Sequence, residues 1–385
     1  MYTLEDYLAM VADGGRTEAY LGAMRAMIRP GDVVLELGTG FGYFAVQAAL
    51  MGARQVYAIE PEDAVAIGPE FAAANGVADR VRFLQGYSTR LDLPERADLL
   101  IEDMRGASPL FAGRLSALLD ARQRHLKPGA RVIPRLDRLQ LTPATAPPTL
   151  GRHARALAQE PHGVDLAPVL ARVGTGWRQI NGGDAVPLAP TTTWAELDYA
   201  TFTSLSVQGS AQMVVERAGR LDGFVSSFEA DLAEGFAYST APAAARMVYD
   251  AGWFPLAKSV DCRPGDGIAI RMRGTHDGSD YVWSWTTTVT PADGRFKEVE
   301  LRQDNLADIL IAPGRLRRRA ADHVPVRNSA IEMRELTLTL VDGRRSMGEV
   351  AEAVRERFPT AFPDARAALR AVAEWLADVE ESAGP

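Results

Sequence analysis

The residues with the clearest chemical potential are Glu36-Leu37-Gly38-Thr39-Gly40-Phe41-Gly42, together with Glu60, which follows Glu36 by 24 residues. Glycine at 38 and 40 lets the backbone turn tightly and approach a ligand that any Cβ would push away. A carboxylate at the end of the next strand is placed to accept hydrogen bonds from both hydroxyls of a ribose. A P-loop would need Gly-Lys-Ser/Thr, which this loop lacks, and the third glycine of a dinucleotide GxGxxG would fall at Tyr43. The spacing is GxGxG with an acid two residues before it. Phosphoryl transfer on this loop is thereby excluded, and a nucleotide-like cofactor is expected.

Such a turn works only where a buried strand meets a helix. Val33 to Leu37 is a short apolar run ending in glycines, as expected of a buried parallel strand. Helical periodicity covers Glu18 to Ile28, stopping at Pro30-Gly31, and again Tyr43 to Met51. Further strands are expected at Gln55 to Ile59, Val81 to Leu84, Leu99 to Ile101 and around Arg131 to Ile133. Strands alternating with helices predict a parallel α/β, Rossmann-like domain over 1–140. From 141 to 312 the runs are short and alternating: Ala195 to Phe202, Gln212 to Glu216, Gly223 to Asp231 and Gly267 to Met272. Asp222-Gly223, Pro264-Gly265 and Asp293-Gly294 read as the turns between them, which predicts an antiparallel β domain. An insert from Leu150 to Val173 reads as helical. After the basic run Arg315 to Arg319 comes a third region, 326–385. In it Asp342-Gly343 makes a turn and two amphipathic helices follow, Ser346 to Phe358 and Asp364 to Val379. Ser346 with Glu349 fits a capping box.

Bulk properties agree with a multidomain globular chain of 385 residues, 47% apolar and 24% charged. A net charge of −8 argues against non-specific binding to nucleic acid or to an anionic membrane. No apolar run reaches the ~18 residues that a membrane span needs. The beginning of the chain lacks the basic and apolar regions of a signal peptide. Cys262 stands alone, so a reducing, cytoplasmic setting is expected. The five histidines are scattered without ligand spacing, and no protein-bound metal is expected.

The GxGxG loop and its acid are similar to those of class I methyltransferases, and residues 1–312 resemble the protein arginine methyltransferase family. Asp13-Gly14-Gly15-Arg16-Thr17-Glu18-Ala19-Tyr20 looks like the family's helix before the sheet. His162-Gly163-Val164-Asp165-Leu166 looks like its dimerisation arm, placed near 150–175. Gly223-Phe224 through Phe228, Ser239-Thr240-Ala241-Pro242, Gly265-Asp266 and Tyr281-Val282-Trp283-Ser284-Trp285 match its β-barrel. The resemblance implies S-adenosylmethionine as cofactor, held by Arg16, Glu36, Gly38, Gly40 and Glu60, with Ser88 and Thr89 beside the adenine. It also implies a homodimer.

The family's catalytic loop grips a guanidinium with two glutamates, since paired carboxylates hold a planar cation by charge-assisted bonds. Here the loop runs Ile101-Glu102-Asp103-Met104-Arg105-Gly106-Ala107-Ser108-Pro109-Leu110-Phe111-Ala112. Asp103 falls at the first glutamate and Ala112 at the second. Asp103 is the leading candidate to orient a nucleophile or take its proton. Glu102 is the second, because a shift of one residue exchanges them. Arg105 would repel a cationic substrate and suit a carboxylate. The family's Thr-His-Trp loop appears as Met247-Val248-Tyr249, and its aromatic lid is echoed by Tyr2 and Tyr7. Tyr7 and Tyr249 are therefore the substrate-side candidates.

The expected activity is methyl transfer to an amino-acid side chain, in a precursor peptide or a free amino acid of a biosynthetic pathway. Arginine N-methylation with a reduced clamp, carboxyl O-methylation and a cofactor-binding scaffold without activity are the alternatives. The strand-like segment Leu340 to Ser346 with its two following helices resembles small PqqD-like winged-helix domains, implying α+β structure and capture of a leader peptide by strand addition.

Overall fold

The computed structural model describes residues 2–148, 150, 163–170, 176–278, 280–306, 314, 317–318 and 322–376. The chain forms two compact units, Met1–Ile309 and Leu310–Pro385.

In the first unit, β1 (Val33–Leu37), β2 (Gln55–Glu60), β3 (Val81–Gln85), β4 (Ala97–Glu102) and β5 (Leu126–Ile133) make a parallel sheet in the order β3-β2-β1-β4-β5. Every residue of β1 is buried, because apolar layers cover both of its faces. Val34, Ala58 and Leu99 pack against Tyr20 and Met24 of α2 (Gly14–Met27) and Ala45 of α3 (Tyr43–Leu50). Val33, Leu35 and Leu37 face the other way, towards Leu115 and Leu118 of α5 (Arg114–Arg124). In the crossover from β2 to β3, α4 (Gly68–Ala74) adds Ala72 to the first layer. The strand order reverses at β1, which has β2 on one side and β4 on the other. At such a switch point the loops leaving the strand tips diverge and open a crevice.

The rest of the unit is antiparallel. One sheet is built on β6 (Leu136–Thr145), β11 (Gly219–Ala233) and β13 (Ala251–Cys262). The short strands β7 (Arg178–Ile180), β8 (Val186–Pro187), β9 (Thr192–Asp198) and β12 (Phe236–Ser239) pair along it. The second sheet runs β10 (Val207–Val214), β14 (Gly267–His276), β15 (Tyr281–Thr290), β16 (Val299–Asp304). Leu141, Phe224 and Phe254 of the first meet Ile268, Ile270 and Trp285 of the second in one apolar core. Pro264-Gly265 and Asp293-Gly294 form the expected turns, with positive φ at both glycines.

Asp222-Gly223 does not. It lies inside β11, where the register against β13 shifts between Leu221 and Gly223. The Asp222 carboxylate accepts from Ala146 N–H, Arg220 and Ser259 instead of closing a turn, which satisfies a bulge in a continuous strand. The strand expected at Ala195–Phe202 stops at Asp198, whose carboxylate accepts from the N–H groups of Ala200 and Thr201. Of the expected helical insert, Ala167–Leu170 is a single helical turn, and 151–162 and 171–175 lie outside the described residues.

The second unit departs from the winged-helix expectation. Three helices, Ser329–Leu340, Met347–Arg357 and Ala365–Leu376, pack around Val350, Val354, Ala368 and Val372, and no strand occurs among its described residues. The segment expected to be strand-like ends the first helix. There Asp342 accepts from the N–H groups of Arg344 and Arg345 beside a left-handed Gly343, and this local turn replaces strand pairing. The Ser346–Glu349 capping box is present in full. Ser346→Ala should therefore destabilise the second helix by about 1 kcal/mol. Hydrogen exchange at its first-turn amides in the full chain measures this, and unchanged protection would refute the cap.

Candidate active site

The crevice opens where β1 and β4 end side by side, with Leu37 in register with Glu102. Gly38 and Gly40 both have positive φ, 70° and 57°. A Cβ on Gly38 would lie 2.7 Å from Met104 Cγ, and one on Gly40 would lie 2.6 Å from the Tyr7 ring. The bare turn is thus a cradle with no room for side chains of its own. Glu60 closes it from the tip of β2. Its Oε2 accepts from Gly40 N–H at 2.8 Å and its Oε1 from Glu62 N–H at 3.1 Å. Burial raises the Glu60 carboxyl above its ordinary range, and the two backbone donors oppose that shift. Burial pushes Glu36 up to about 8, although the Thr39 hydroxyl donates to it at 2.5 Å.

A cavity of about 660 Å³ joins this cradle to Asp103. Arg16, Glu36, Gly38, Glu60, Asp103 and Arg105 line it, and so do Tyr7 and Tyr249. Tyr7 reaches it from α1 (Leu4–Ala12), whose residues are all at least partly exposed. That helix is tied down where Met10 C=O accepts from Arg16 Nη1 at 3.0 Å. Burial first, then the Glu60 charge, pushes the Tyr7 phenol up to about 12.

Asp103 is the hub of the far end. Its Oδ2 accepts from Arg16 Nε at 2.5 Å and from the Tyr249 hydroxyl, and its Oδ1 accepts from Arg105 Nη1 at 2.9 Å. Burial alone would raise the Asp103 carboxyl. Arg16 and Arg105 outweigh it and hold the group below the usual carboxylate range. Arg105 itself is fully buried and gripped at both ends by Asp137 of β6, at 2.8 and 2.9 Å, while donating to Tyr20 at 2.7 Å. Its charge is therefore spent inside the protein. Arg105 borders the cavity, but its guanidinium is buried and met by Asp137 and Asp103, which offsets the repulsion of a cation expected from the sequence.

Several expected residues are placed elsewhere. Glu102 is completely buried in a two-pronged pair with Arg114 and does not line the cavity. Ser88 lies in a buried turn, where its carbonyl accepts from Arg124 and contacts the His125 ring; neither it nor Thr89 lines the cavity. Three partners escaped the sequence reading: Asp137, Arg114 and Tyr199, whose hydroxyl donates to Asp137 and accepts from Arg114 at 2.8 Å. A signal for Asp137 does exist. It is in phase with inward-facing Leu139 and Leu141 on β6, so alternation puts a carboxylate on the core side.

A parallel sheet of this order, with a glycine cradle and a carboxylate at the tips of its first two strands and a β-barrel behind it, is a Rossmann-like domain joined to a β-barrel. Residues 14–134 match the family model of ribosomal protein L11 methyltransferase (PrmA). Protein arginine N-methyltransferase PRMT10 of Oryza sativa subsp. japonica is 38% identical over 136 residues, covering 35% of this chain and 36% of that protein. The chain thus spans little more than a third of the length of the curated relatives it matches. Two solved structures share the fold over most of the chain. The Trypanosoma brucei PRMT1 enzyme-prozyme heterotetrameric complex with AdoHcy has a TM-score of 0.69 at 18% identity, covering 77% of this chain and 97% of that one. Arabidopsis thaliana protein arginine methyltransferase 10 has 0.66 at 21%, covering 79% and 98%. Residues 14–134 are thus similar to a methyltransferase domain, and the first unit shares the fold of these two solved structures, parallel sheet and β-barrel together.

Proposed function

We propose that this chain transfers a methyl group from S-adenosylmethionine to a nitrogen or oxygen of an amino-acid side chain, in a peptide or a free amino acid. One observation carries the reading: a single cavity connects Gly38 and Thr39 of the cradle and Glu60 to the buried carboxylate of Asp103. The residues fit the cofactor, because a side-chain-free turn, the Glu60 carboxylate and the Arg16 guanidinium border one cavity. The curated relatives are methyltransferases by name, and one solved neighbour is a complex with AdoHcy. Glu60 would take the ribose, the backbone at 38–40 would border it, and Arg16 would face the methionine end. When bound, the cofactor supplies a methyl group activated on a sulfonium.

The protein's own part is alignment. Asp103, held ionised by two guanidinium groups, is a weak base, so it orients the acceptor rather than taking its proton. Its Oδ2 already has two donors, and only Oδ1 retains a free acceptor position. That suits one N–H or O–H of an acceptor approaching from the cavity. Ala112 supplies no second carboxylate, so a guanidinium would be held on one side only; arginine remains the second reading because the relatives carry that name. Carboxyl O-methylation loses its motive, since Arg105 is neutralised by Asp137. Dimerisation through the arm near 150–175 and recruitment of a leader peptide by the C-terminal unit belong to the same proposal. With no strand among its described residues, that unit would use a helix face such as Ile331 and Leu338, both exposed.

Glu60→Gln tests the cofactor half. Removing the charge from two ribose hydrogen bonds should weaken S-adenosylmethionine binding about 10- to 100-fold, as read by titration calorimetry on the full chain. Unchanged affinity would sink the proposal.

A further inference from the structure

The outer face of the β10-β14-β15-β16 sheet carries a polar trough of about 810 Å³, formed by residues that take no part in the cavity above. Strand alternation sends Ile270 and Met272 into the core and leaves Arg271 and Arg273 pointing outward. Register places Arg271 between Ser210 of β10 and Thr286 of β15, with Arg302 of β16 beyond. Arg273 stands likewise between Gln208 and Ser284, with Asp304 beyond. Arg302 is paired with Glu300 at 2.7 Å. Among the described residues, no carboxylate pairs with Arg271 or Arg273. Two unpaired guanidinium groups therefore stand side by side on one strand of a chain whose net charge is −8.

We propose that this trough binds an extended acidic polypeptide segment with alternating carboxylates, lying along β14. Arg271 and Arg273 are two residues apart on a strand, a repeat of about 6.8 Å. In an extended ligand, side chains two residues apart share one face with the same repeat. An acid-x-acid sequence thus sets its carboxylates opposite both guanidinium forks, which favour bidentate carboxylate pairing. The short hydroxyl and amide side chains on either flank leave the backbone of such a segment room to settle and groups to bond. Asp304 lines the trough on β16 and repels carboxylates there, which favours the β14 side for the ligand. Single-stranded nucleic acid is the poorer match. Its bases need exposed aromatic platforms, and Trp283 and Trp285 of this sheet are buried.

The test uses the full chain and a fluorescein-labelled peptide of alternating glutamate and serine, followed by anisotropy. The wild-type protein should bind it at low salt and release it at high salt, because exposed charge pairs are screened. The double variant Arg271→Ser/Arg273→Ser should bind at least about tenfold more weakly, with an unchanged melting temperature, since both side chains are exposed and unpaired. Arg271→Lys/Arg273→Lys, which keeps the charges and loses the forks, should fall between. A peptide of the same composition with its glutamates in one block should bind less well. Equal binding by the Ser variant, equal binding of the block peptide, tighter binding of an oligouridylate, or no binding at low salt would each overturn the proposal. None of these outcomes depends on methyl transfer.

Discussion

Asp103→Asn is expected to lower the rate of methyl transfer by at least about 100-fold while leaving cofactor binding largely intact. The change keeps the shape of the side chain and removes the charge that aligns an acceptor N–H or O–H. Misplacement of a reacting group by ~1 Å costs about that factor. Asp103 bonds neither Glu60 nor the Gly38–Gly40 turn, and an asparagine there keeps an oxygen to accept from Arg16, so the loss should appear chiefly in kcat. The measurement is single-turnover transfer of labelled methyl to whichever peptide or amino acid the wild-type chain modifies, alongside calorimetry of S-adenosylmethionine. Wild-type turnover in the variant would remove Asp103 from the mechanism. Joint loss of turnover and cofactor affinity would make it a structural residue of the cradle instead.

The second large effect is on stability. Asp137→Ala would leave Arg105 fully buried with its principal counter-charge gone, and Asp103 shares only one of its nitrogens. Breaking a buried pair in this way costs about 3–5 kcal/mol, a large part of the 5–15 kcal/mol typical of a folded domain. Arg105→Met/Asp137→Ala removes both charges and should recover most of that loss, because an apolar pair needs no counter-ion. Denaturant unfolding of the two variants and of Arg105→Met completes a double-mutant cycle. A cost below about 1 kcal/mol for Asp137→Ala would mean that water or another group neutralises Arg105, and the charge-balanced pocket would have to be abandoned.

That balance explains why the barrel matters to the chemistry. Asp137 comes from β6, and Tyr199 follows β9; both are barrel elements, yet they close on a loop that leaves β4 of the parallel sheet. Tyr249, just before β13, reaches the same carboxylate from another side. The far end of the cavity is thus assembled by two domains. The cations that hold Asp103 ionised, Arg16 and Arg105, both come from the parallel-sheet domain, while Asp137 and Tyr249, which anchor Arg105 and Asp103, come from the barrel side.

The cradle was legible in the residues because its geometry is local. Glycines at 38 and 40, an apolar strand before them and an acid at the next strand tip dictate a backbone turn almost regardless of what surrounds it, and β1, α3 and β2 lie where the periodicity puts them. The capping box at Ser346 was readable for the same reason. Asp222-Gly223 shows the limit of local reading. Its turn chemistry is overridden because β6 and β13 pair along both sides of β11 and carry the strand straight through. The tail segment before Ser346 shows the converse, its apolar residues serving a helix end for want of a strand to pair with.

What the amino-acid order determined was therefore the glycine cradle, the fold class of both domains in the first unit and the position of Asp103 on its loop. What only tertiary closure decided was the charge state and reach of that loop: that Glu102 is consumed by Arg114, that Arg105 is consumed by Asp137, and that Asp103 keeps a single free acceptor position. The reason lies in the range of the forces. A backbone turn is set by the φ and ψ preferences of adjacent residues, whereas the partner of a buried charge is whichever opposite charge the folded chain brings within hydrogen-bond distance, here from 12 and 32 residues away.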